Sequence, residues 1–120
     1  MKDNKYWAEN YNLTGVAEGF SRMFSHHIGG MFEGNIHLII YDRIHIKQIA
    51  SSLSKLPFVD GWLPNKDDSK SQYDFIVIPE WVISKKQIET YLKPIKQKNY
   101  SIITLNVAKK FETMVVSLVM

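Results

Sequence analysis

Two periodicities divide the chain. From Thr14 onward Val16, Phe20, Met23, Phe24, His27, Ile28 and Met31 recur at spacings of three and four, which predicts a helix with one buried stripe, stopped by Gly29-Gly30. The run Ile36 to Tyr41 then predicts a strand, and Asp42 behind it can cap a second helix whose stripe is Ile46, Ile49, Ala50, Leu53 and Leu56, closed by Pro57. Phe58 to Leu63 reads as a shorter strand interrupted by Asp60-Gly61, and Asn65 to Gln72 as a polar loop. In Tyr73 to Ile78 both side-chain sets are apolar, Tyr73, Phe75 and Val77 against Ile76 and Ile78, which predicts a strand buried on both faces and ended by Pro79. Ser84 and Gln87 have capping-box spacing, with Ile83 and Ile88 in the staple positions around them. A helix follows from about Lys85 with Ile88, Tyr91, Leu92 and Ile95 on one side, and Pro94 ends it near Lys93. Ser101 to Val107, a turn at Ala108-Lys109-Lys110 and Phe111 to Met120 predict a terminal hairpin.

Residues 1–12 are polar with interleaved Tyr6, Trp7 and Tyr11 and have no clear period; they read as an N-terminal arm whose rings pack onto the single α+β domain of residues 13–120. The order is helix, strand, helix, strand, strand, helix, strand, strand. Eight loop residues are too few for a parallel crossover, so strands 58–63 and 73–78 are expected to be antiparallel neighbours. Without its first helix and last strand this is a split βαβ series. The expected fold is therefore a ferredoxin-like βαββαβ sandwich with an extra N-terminal helix and an added C-terminal strand, the alternative being a small Rossmann-like α/β/α arrangement. Strands apolar on both sides need cover on both faces, from the N-terminal helix or from a second subunit.

The 120 residues, 45% hydrophobic, suffice for one core without metal or disulfide support, and the absence of cysteine removes thiolate chemistry. No apolar run approaches the roughly 20 residues that span a bilayer, and the first residues lack a signal-peptide core, so a cytoplasmic, soluble protein is expected. The net charge of +3 rests on lysine, with Arg22 and Arg43 as the sole arginines, a balance poor in the residue that best reads phosphates and base edges.

Candidate chemistry is sparse. His26, His27, His37 and His45 have no zinc-ligand spacing, and neither a metal nor a cofactor is expected. Asp42 and His45 could form an acid–base pair, but a helix-capping aspartate with a histidine one turn later needs no catalytic role. Gly29-Gly30 and Gly34 stand after a helix and before a strand, the reverse of a dinucleotide-binding order. The segment YDFIVIPEW, followed by a helix, LKP and SIITL, resembles the later half of Rossmann-type methyltransferases, which implies a decayed, non-catalytic relative; Pro79 and Trp81 match the family's motif, whereas Ile78 and Glu80 depart from it and no glycine-rich cofactor loop precedes it. IIYD, ending at Asp42, is similar to the first strand of the small CRISPR adaptation nucleases of ferredoxin-like fold, and the added N-terminal helix departs from that family.

The expected function is that of a non-enzymatic regulatory or accessory module that docks to a protein partner or to its own copy, forming a homo-oligomer in the second case, through Trp7, Phe20, Phe24, Trp62 and Trp81. The alternative is nucleic-acid binding through Lys85, Lys86, Lys93, Lys96, Lys109 and Lys110, for which a solvated helix face is the plain structural counterpart. A third reading is a metal-dependent hydrolase or nuclease using Asp42, His45 or Glu80. Nothing indicates a small-molecule partner.

Overall fold

The computed structural model describes residues 4–28, 32–54, 73–95, 100–111 and 113–119. The elements are α1 (Asn4–Asn10), α2 (Leu13–Ile28), β1 (Gly34–Asp42), α3 (Ile46–Leu53), β2 (Tyr73–Pro79), α4 (Lys85–Leu92), β3 (Tyr100–Lys110) and β4 (Thr113–Leu118), with a single 3-10 turn at Arg43–His45 between β1 and α3. Asn12 caps α2 by accepting the Gly15 amide at 3.0 Å, and Gly15 is the residue that fits, since a Cβ there would lie 2.5 Å from the Asn12 side chain. The capping box at α4 forms as its spacing predicts. Ser84 Oγ accepts the Gln87 amide at 3.2 Å, and Gln87 Oε1 accepts the Ser84 amide at 3.1 Å. Ser84→Ala is expected to lose about 1 kcal/mol in urea unfolding, with Ser84→Asp retaining most of the cap.

One four-stranded sheet has the order β2-β1-β3-β4, antiparallel at every pairing. Because β1 runs against both neighbours, β2 and β3 are parallel to each other, and β2–α4–β3 is a split βαβ unit that straddles β1. The protein is thus an α+β domain with an antiparallel sheet; the described strands do not confirm the whole ferredoxin-like arrangement, which also needs the expected strand 58–63 in the sheet. The expected strand 58–63 and loop 65–72 lie outside the described residues.

Side chains alternate along each strand, so one sheet serves two cores. On one face Ile36, Leu38, Ile40, Phe75, Val77, Ile103 and Leu105 pack under Trp7 of α1 and Leu13, Ala17 and Phe20 of α2. On the other, Ile39, Tyr41, Ile76, Ile78 and Ile102 pack under Ile49 and Leu53 of α3 and Ile88 and Leu92 of α4. The layering is helix, sheet, helix, as in the α/β/α alternative, although the sheet lacks its adjacent parallel strands. Two-faced strands called for cover from the N-terminal helix or from a second subunit; α1 and α2 supply it. Residues 4–10, expected as an arm, form a helix whose Trp7 is wholly buried, its ring edge-to-face with Tyr73 at 4.9 Å.

Candidate docking surface

Trp7 and Phe20 are buried in the chain's own core and present nothing to a partner. Trp81 is 59% exposed in the turn between β2 and α4. Trp62, Lys96 and the Phe24 side chain lie outside what is described. The three residues of the hydrolase reading do not converge. Asp42 ends β1, where its Oδ1 accepts the Ile44 amide at 3.4 Å beside His45, whereas Glu80 pairs with Asn35 at the strand's other end, roughly 23 Å away by strand rise.

The lysines divide into two groups. Lys85 and Lys93 of α4 flank Glu89 along a groove of about 400 Å³ floored by Tyr100 and Ile102 at the start of β3, and Lys86 is exposed on the same helix. Burial and the nearby Glu89 carboxylate push the Tyr100 phenol above its ordinary 10. Lys109 and Lys110 are exposed at the other end of β3, about 30 Å away by strand rise. The two groups make no continuous stripe.

Periodicity did not single out a polar row that crosses the sheet near the β1 start. Glu80, Asn35, Asn106 and Ser117 stand side by side on the face beneath α3 and α4. Asn35 Nδ2 donates to Glu80 Oε2 at 2.7 Å, and Asn106 Nδ2 donates to Asn35 Oδ1 at 2.8 Å. One step inward is His37, only 2% exposed, with Nδ1 2.9 Å from Thr104 Oγ1 and Nε2 without a hydrogen-bond partner. Burial holds this imidazole below its usual 6.5; Lys85 adds to the effect, and Glu80 and the Ile83 backbone oppose it. The histidine is a neutral member of the core. The row and the His37–Thr104 pair lock β1, β2 and β3 in register.

Among the described residues the large exposed apolar side chains are Ile44 in the turn after β1, Trp81 after β2, and Phe111, Val115 and Val119 on the β3–β4 hairpin at the other sheet edge. In β4 burial alternates: Met114, Val116 and Leu118 rest half-buried on the rim of the α1–α2 core, while Thr113, Val115, Ser117 and Val119 face out, Val115 at 43% and Val119 at 38% exposure. The α3–α4 layer therefore stops short of β4. From Thr113 to Val119 there is no charge, proline or glycine. Natural sheet edges are guarded by such residues or by a bulge, since an open row of N–H and C=O groups is a template for another strand. At the hairpin tip Phe111 is 91% exposed and holds φ 51°, a left-handed conformation costly for an aromatic residue. The turn begins at Phe111, after the expected Ala108-Lys109-Lys110, because Lys110 pairs with Thr113 and β3 continues to its end. The one legible signal for this edge was the uncharged run itself.

Fold and surface together define a small α+β protein in which no other described strand pairs with the outer side of β4. Comparison with protein-family models, with curated proteins and with solved structures yields no match. Among the described residues no helix is long and apolar enough to cross a membrane, and no three His, Asp or Glu side chains gather as metal ligands would.

Proposed function

We propose that this protein is a protein-docking module that works by strand addition at β4, with the Phe111 tip as an adjoining anchor. The observation that carries the reading is the uncharged edge strand with Val115 and Val119 bared on one side. An added strand satisfies the backbone groups of Met114, Val116 and Leu118, which no other described strand meets, and covers both valines, so affinity comes from main-chain hydrogen bonds and apolar contact. The exposed Phe111, kept in a backbone conformation that asparagine or glycine adopts at lower cost, fits an anchor role better than a turn role.

Affinity capture from cells with tagged wild-type chain, Val116→Pro and Phe111→Asn tests this. Proteins held by the wild type are expected to be lost with Val116→Pro and weakened with Phe111→Asn, and the capture is expected to survive nuclease treatment. Phe111→Asn is also expected to raise stability by about 1 kcal/mol through relief of the left-handed position, read as a higher melting temperature. Identical capture by all three chains, or capture abolished by nuclease, would refute the reading.

A further inference from the structure

We infer that the strand added at β4 is β4 of a second copy of this chain, antiparallel to the first about a two-fold axis, so that the two sheets join into one. This rests on the docking reading and names its partner. The Val119 amide donates to the Thr104 carbonyl at 2.9 Å, which directs the backbone groups of Thr113, Val115, Ser117 and Val119 towards β3 and those of Met114, Val116 and Leu118 outward. In an antiparallel ladder the residues that exchange hydrogen bonds stand directly opposite each other. Outward residues of one copy must therefore oppose outward residues of the other. Val116 against Val116, with Met114 against Leu118, meets that condition and engages the whole of 113–119.

Side-chain parity is satisfied in the same register. It sets Met114, Val116 and Leu118 of both copies on one face, where the two α1–α2 cores run together across the seam, and the Val115, Ser117 and Val119 sets on the other. A slip of one residue would break both the hydrogen bonding and the parity. Charge agrees as well. A two-fold axis brings each residue close to its own counterpart, so a charged strand would repel itself, and this stretch carries no charge, with Lys109 and Lys110 lying beyond it.

The test is light scattering of the purified full chain over a dilution series, with amide exchange. The wild type is expected to have the mass of two chains, with the Met114, Val116 and Leu118 amides protected. Val115→Lys and Val115→Glu are each expected to halve the mass, because the two copies of residue 115 are diagonal neighbours across the seam, and an equimolar mixture of the two variants is expected to restore it. Val116→Pro removes an outward N–H and leaves the bonds to β3 intact, so it is expected to give a folded monomer by circular dichroism. A wild-type monomer, a dimer indifferent to all three substitutions, or a monomer in which the three outward amides are nonetheless protected would overturn the inference, the last because a segment of the same chain would then cover the edge. A wild-type monomer that still shows capture sensitive to Val116→Pro removes the second copy and leaves the docking reading standing; a monomer without such capture removes both.

Discussion

Trp7→Ala is expected to cost about 3–5 kcal/mol in urea-induced unfolding, a large share of the roughly 5–15 kcal/mol that holds a domain of this size together. The indole is wholly buried and packs edge-to-face against Tyr6 and Tyr73 and tilted against Tyr11, so truncation opens a cavity among rings that cannot all collapse into it. It also unfastens α1, which has no other buried side chain. Seven residues are too few to hold a helix without a tertiary anchor, so loss of the anchor is expected to melt α1 as well as to hollow the core beneath it. Trp7→Phe keeps a ring in place and is expected to lose less than half as much, while Trp81→Ala, at a position 59% exposed, is expected to stay within about 0.5 kcal/mol. A loss below 1 kcal/mol for Trp7→Ala would mean that α1 is not docked as described.

The second large effect is a dependence of stability on pH. His37 is buried and neutral, and its folded-state pKa lies below the 6.5 of the unfolded chain. The unfolded state thus binds the proton first. Stability from this group is complete above pH 6.5 and falls as pH drops below it, at about 1.4 kcal/mol per pH unit for a single proton, until the folded-state pKa is passed. Charging the ring would require solvation at Nε2, which has no partner, and would set a cation near Lys85 with Glu80 as the compensating carboxylate. His37→Leu alone would leave the Thr104 hydroxyl buried without its partner, so the informative variant is His37→Leu with Thr104→Val. Unfolding midpoints between pH 7.5 and 5 are expected to fall more steeply for the wild type than for the double variant. Parallel curves would show that the other histidines and the carboxylates carry the whole dependence.

The local elements were legible because their causes are local. The capping box at Ser84 and Gln87, the end of α4 before Pro94 and the double-faced strands at Ile36 and Tyr73 each follow from neighbouring residues. Strand order is set across the sheet and by no single strand's pattern, since Ile39 reads the same whichever strands it meets. The seven residues of α1 were missed for another reason. A helix with one buried residue has no period to detect. The hairpin turn shifted because Phe111 carries none of the chemistry that favours a left-handed backbone, so the more polar Ala108-Lys109-Lys110 stood out instead. As for the surface, aromatic residues were the obvious anchors to nominate, but tryptophan and phenylalanine fill cores as readily as interfaces, and Trp7 and Phe20 do so here. Trp81 stays exposed, and the bared valines of β4 join it as surface positions that are recognised only once the sheet has an order.

The central place of β1 also sets a timetable for folding. It precedes the other described strands in the chain, and both its ladders await segments made later, since Ile39 must meet Ile76 on one side and Ile102 on the other. In the growing chain the apolar run Ile36 to Tyr41 thus waits for both partners, and β3–β4, a hairpin joined by a short turn, follows the other described strands. Refolding is accordingly expected to be limited by closure of the long loops around β1, on the slow side for a chain of this length, with the β3–β4 hairpin available early as a template.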